Sequence, residues 1–73
     1  MDKEIFKIQE GQEYIELIKL LKAMQLASSG GEAKAMVEDG LVQVNGKPES
    51  RKRAKLRAGD EVQCLDQRIV IES

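Results

Sequence analysis

Apolar residues recur along this chain with two different periods. Tyr14, Leu17, Ile18, Leu21 and Met24 fall at i, i+3, i+4, i+7 and i+10, one stripe of a helix, and Ile15, Leu20 and Leu26 widen it. This spacing predicts a helix over 13–26, with acidic residues in its early turns where the helix dipole favours them. Ala33, Met36 and Val37 give a second helical face over 30–39. Ser29-Gly30-Gly31-Glu32 fits the S-x-x-E box that closes the free amides of a helix start, and Asp39-Gly40 supplies a stop. Leu41-Val42-Gln43-Val44 then alternates as a strand does, and Asn45-Gly46 is a strong hairpin signal, because both central residues of a type I′ turn need positive φ. The return strand covers 47–49, with Pro48 confined to an edge or strand start. Further strands are expected over 61–65, with Val62 and Cys64 inward, and over 68–72, joined tightly by Asp66-Gln67. Phe6 and Ile8 share a face about Lys7, which adds a strand over 3–8. Between Glu49 and Ala58 no alternation is sustained, so an irregular arm anchored by Leu56 is expected. The fold class is α+β: two helices packed on one side of a small, mostly antiparallel sheet.

With 73 residues the chain has room for one domain, 1–73, and buries too little surface for a multi-step catalytic site. Its single cysteine, Cys64, excludes an intramolecular disulfide, and the lack of any histidine leaves no zinc set and no imidazole base. Cys64 is expected to be a small buried apolar residue rather than a nucleophile. No signal peptide and no apolar run long enough to span a bilayer is visible, so a cytoplasmic protein without membrane contact is expected.

Charge is distributed unevenly. Residues 47–57 hold six basic side chains against Glu49 alone, a local charge of +5, while the remaining six basic and twelve acidic residues leave −6 elsewhere. A chain polarised in this way can steer a polyanion to one face although its net charge is −1. The competing reading is a solvated loop that keeps an edge strand soluble. A second candidate seat for phosphate is the start of the second helix. There Ser28, Ser29, Gly30 and Gly31 expose amides aligned with the helix dipole, with Lys34 one turn later.

No nucleophile beside a base and no phosphate-binding nucleotide motif is present, which predicts a non-enzyme without cofactor, metal or small-molecule substrate. Tyr14 and Phe6 are the only aromatics. Stacking of successive bases along a single strand is therefore not expected, and structured nucleic acid read through shape and phosphates suits these residues better.

Glu32-Ala33, then Asp39-Gly40-Leu41-Val42-Gln43-Val44-Asn45-Gly46-Lys47, then Gly59-Asp60-Glu61-Val62 resembles the S4-type RNA-binding domain over about Tyr14 to Leu65. More narrowly, the chain is similar to small stand-alone S4 proteins of the YaaA/YbcJ type. The resemblance implies an S4-like αL motif, in which two helices and a hairpin form one RNA-binding face. It implies structured RNA, rRNA or tRNA, as the partner, with ribosomal particles and a bacterial role in ribosome biogenesis or translation as the setting. Larger S4-bearing proteins carry an arginine after the serine of the second helix start, where this chain has Gly30. The RNA-binding candidates are Arg51, Lys52, Arg53 and Lys55, flanked by Lys34 and Lys47, together with Ser29, Gly30 and Gly31. A protein adaptor docking an acidic partner through the same arm is the alternative.

Overall fold

The computed structural model describes residues 2–51 and 53–73. Its elements are β1 (Asp2–Lys7), β2 (Ile15–Glu16), α1 (Leu17–Ala23), α2 (Gly30–Glu38), β3 (Val42–Val44), β4 (Lys47–Pro48), β5 (Lys55–Leu56), β6 (Glu61–Cys64) and β7 (Gln67–Glu72). Five strands form one sheet in the order β1-β7-β6-β3-β4, antiparallel except where β1 runs parallel to β7. β2 and β5 make a separate two-stranded ribbon. Leu17, Leu20 and Leu21 of α1, Ala33, Met36 and Val37 of α2, and Val42, Val62, Cys64, Ile69 and Ile71 of the sheet share one core. This is the α+β arrangement that the two periodicities predict.

The first helix is shorter than 13–26 because tertiary contacts claim both of its ends. Ile15 and Glu16 are extended and pair with Leu56 and Lys55, and the Leu17 amide donates to the Ala54 carbonyl at 2.9 Å. The helical stripe from Tyr14 therefore begins as a strand. At the other end Gln25 takes φ 60°, its amide bonds the Lys22 carbonyl at 3.0 Å, and the Leu26 amide bonds the Leu21 carbonyl at 2.9 Å. These two bonds are the Schellman closure of a helix. α2 ends in the same way at Gly40, φ 76°, with bonds from Gly40 to Val37 and from Leu41 to Met36.

Asn45 and Gly46 have φ 53° and 85°, the positive pair that the hairpin signal requires, and β3 and β4 flank them. The last hairpin turns one residue earlier than expected. Cys64 pairs with Gln67 across Leu65-Asp66, so Asp66-Gln67 is not the connection, and Leu65 takes φ 56°. Burial sets this register: Val62, Cys64, Ile69 and Ile71 all reach the core with no exposed surface.

The expected irregular arm contains β5. Ala54 and Leu56 turn inward while Arg53, Lys55 and Arg57 stay exposed. Leu56 is 1% exposed, and burial of this kind contributes about 1.5–3 kcal/mol for a leucine.

Candidate nucleic-acid interface

The arm's charges are displayed by its alternation. Because β5 is held against β2 by backbone pairing and by its two inward apolar residues, the basic side chains on its outer face cannot fold into the core. Arg51, Arg53, Ala54, Lys55 and Arg57 line an open concavity of about 400 Å³ with no acidic residue in its wall. Lys55 Nζ lies 5.0 Å from the centroid of the Tyr14 ring, a cation–π contact at one rim. Arg57 was not among the residues singled out from the sequence. Its position two residues beyond Lys55 on the alternating arm is the signal that points to it.

Arg51 is the one arm cation with a carboxylate on it among the described residues. The Glu49 carboxylate accepts from the Arg51 amide at 2.9 Å, from Nε at 3.1 Å and from Nη2 at 3.3 Å. These bonds hold the Glu49 carboxyl below its usual range, and Glu49 in turn raises the Arg51 pKa. The Arg51 side chain nevertheless keeps 79% of its surface in solvent, so it can turn part of its fork to a phosphate.

The arm is tied to the β3–β4 hairpin by one side chain. Asn45 Nδ2 donates to Asp60 Oδ1 at 3.1 Å, Asn45 Oδ1 accepts from the Glu61 amide at 2.9 Å, and Asp60 Oδ2 accepts from the Arg57 amide at 2.8 Å. The Val-Asn-Gly and Gly-Asp-Glu motifs are thus two halves of one clamp that fixes the end of the arm.

The other sequence candidates are spread more widely. Lys47 is exposed on edge strand β4 and Lys34 is exposed on α2, and neither lines the concavity. Lys52 lies outside the described residues. At the start of α2 the Ser29 hydroxyl accepts from the Glu32 amide at 3.2 Å, which is half of the expected capping box. The Glu32 carboxylate accepts instead from the Ser28 hydroxyl at 2.8 Å. A carboxylate therefore already sits by the amides proposed to seat a phosphate. Open space surrounds Gly30, and a Cβ on Gly31 would meet only Ser29 Oγ at 3.9 Å, so packing does not demand either glycine.

Cys64 is fully buried in β6, and burial pushes its thiol pKa up, which makes it a poor nucleophile. Among the described residues no group of three or more His, Cys, Asp or Glu side chains gathers as a metal site, and no helix is long and apolar enough to cross a membrane.

Residues 6–72 match the S4 domain family. The chain is 43% identical over 49 residues to YbcJ of Escherichia coli (strain K12), named as a candidate RNA-binding protein, covering 67% of this chain and 70% of that one. An uncharacterised YbcJ of Shigella flexneri matches with the same identity and coverage. The solution structure of E. coli YbcJ, described as revealing an αL motif involved in RNA binding, superimposes with a TM-score of 0.72 at 30% identity. That superposition covers 100% of this chain and 91% of the other.

Proposed function

The chain belongs to the S4 domain family, and from that membership we propose that it is a non-catalytic RNA-binding protein that holds structured RNA by its phosphates. The observation that carries this reading is the basic concavity of Arg51, Arg53, Lys55 and Arg57 on an otherwise acidic chain. Arginine forks and lysine ammonium groups displayed from a braced strand suit a backbone of repeated phosphates. Lys47 and Lys34 add longer-range attraction, Lys52 belongs to the same basic run in the sequence, and the Ser29-Gly30-Gly31 helix start is a secondary contact. The name carried by E. coli YbcJ supports the same partner class.

The RNA is rRNA or tRNA, met free or within ribosomal particles in a bacterial cytoplasm, and the role is in ribosome biogenesis or translation. The chain acts as a single S4 domain without cofactor. Crosslinking in cells followed by sequencing of the bound RNA tests the proposal, with rRNA or tRNA fragments expected to dominate. Recovery without RNA, or of an acidic protein that survives nuclease treatment, would replace it with the adaptor reading.

A further inference from the structure

A second concavity, of about 490 Å³, opens between the end of β1, the connection into β2 and the outer side of α1. Phe6, Gln12, Glu13, Tyr14, Glu16 and Lys19 are among its walls. We propose that this groove takes one unpaired RNA base, stacked on Tyr14, while the phosphates of the same segment lie on the basic arm. The inference deepens the RNA-binding function proposed above and rests on it.

Continuity between the two concavities is the first reason. Tyr14 leads directly into β2, whose Ile15 and Glu16 pair with Leu56 and Lys55 of β5, so the ribbon is a wall common to both. Lys55 lines the basic side, and its ammonium lies over the Tyr14 ring that lines the groove. A nucleotide crossing this rim has its phosphate on one side and its base on the other.

Charge is the second reason. The arm concavity is lined by four cations and no acid, whereas the groove carries Glu13 and Glu16 against Lys19 alone. Carboxylates repel a phosphate but accept hydrogen bonds from a base, as they do from the amino group of cytosine. The two sites therefore sort the parts of a nucleotide, and the groove favours amino-bearing bases over uracil.

The Tyr14–Lys55 contact supplies the third reason. A ring face open enough to hold an ammonium is open to a base, and a lysine displaced from it can move to the adjoining phosphate. Tyr14 is the one aromatic besides Phe6, so the site holds a single splayed base rather than a stacked run.

An RNA hairpin with one unpaired 2-aminopurine, compared with the same hairpin fully paired, provides the test. The bulged hairpin is expected to bind tighter by about 5- to 100-fold, with a change in 2-aminopurine fluorescence, as one base–aromatic stack supplies. Tyr14→Leu is expected to abolish the preference for the bulged hairpin and the fluorescence change, and Tyr14→Phe to keep both. Glu13→Gln is expected to narrow the preference for adenine or cytosine over uracil at the bulge, a readout that does not depend on the fold of Tyr14→Leu. Equal binding of both hairpins with a normal salt dependence would overturn the groove and leave the proposed function standing. Failure of both hairpins to bind would overturn the groove and the proposed function together.

Discussion

Arg53→Ala and Arg51→Ala remove the same formal charge from the same concavity, yet the structure makes their effects unequal. Arg51 is held by Glu49 through its amide, Nε and Nη2, whereas no ion pair joins Arg53 among the described residues. Each phosphate neutralised contributes about −0.7 to −0.9 to the slope of log K against log salt. Arg53→Ala is therefore expected to flatten the slope by about 0.7–0.9, so that its deficit relative to wild type shrinks about threefold between 50 and 200 mM salt. Arg51→Ala should flatten it by less, because Glu49 already screens that charge. Glu49→Gln should steepen the slope and tighten binding, and in that background Arg51→Ala should recover the full effect. Fluorescence anisotropy with one structured RNA over a salt series measures wild type and the four variants. Because these side chains point outward, unfolding curves of the arginine variants should overlay wild type. Equal slopes for the two arginine variants with a silent Glu49→Gln would refute the pairing. An unchanged slope in every variant would return the arm to a solubility device or a protein dock.

Three further outcomes follow from the fold and its charges. Gln25→Gly should raise unfolding stability in urea by about 0.5–1 kcal/mol, since it relieves a left-handed penalty of about 1–2 kcal/mol and adds unfolded-chain entropy of about 0.5–1; no gain would mean that Gln25 is not held at positive φ in solution. Asn45→Ala should cost about 1–3 kcal/mol, two hydrogen bonds at about 0.5–1.5 each, and Asp60→Asn, which keeps an oxygen for the Arg57 amide, should cost less. A carboxyl NMR titration should find Glu49 below its ordinary 4.5, rising toward it in Arg51→Ala. A lowered folded-state pKa stabilises above the ordinary value and the benefit is lost as pH falls through the folded one, so the wild-type advantage should be present at neutral pH and fade only in acid. An identical Glu49 pKa in both proteins would remove the contact.

Much of the fold was legible because local chemistry and global packing agree. α2 has a serine cap, an apolar face and a glycine stop, and it forms within a residue of its predicted span. Asn45-Gly46 likewise contains its own conformational reason. α1 was misread at both ends for opposite causes. Its stop falls on Gln25, a residue with no preference for the left-handed region, so nothing local announces it. Its start is decided by Leu56 and Ala54, some forty positions away, which draw Ile15 and Glu16 into a ribbon. A stripe at helical spacing cannot distinguish these residues, because an apolar residue at Ile15 fits the edge of the stripe as well as the ribbon.

The basic arm was legible as charge and illegible as shape. Arg53-Ala54-Lys55-Leu56-Arg57 alternates over five positions, but its density of cations reads as a solvated loop unless Ala54 counts as an inward residue. Once it does, the arm divides cleanly: Ala54 and Leu56 bind it to the protein, and among the described residues its cations touch the protein only where Glu49 meets Arg51 and where Lys55 lies over Tyr14. That division makes affinity and stability separable on one short segment. Substitutions at 53, 55 and 57 are expected to change the proposed electrostatic grip on a phosphate and to leave the core untouched. A change at Leu56 removes the anchor, at about 2–5 kcal/mol for leucine to alanine, and disperses the same charges by freeing the strand that displays them. Net charge could not reveal such a device, because the acids that cancel the arm are spread over the rest of the chain while Arg51, Arg53, Lys55 and Arg57 share one wall.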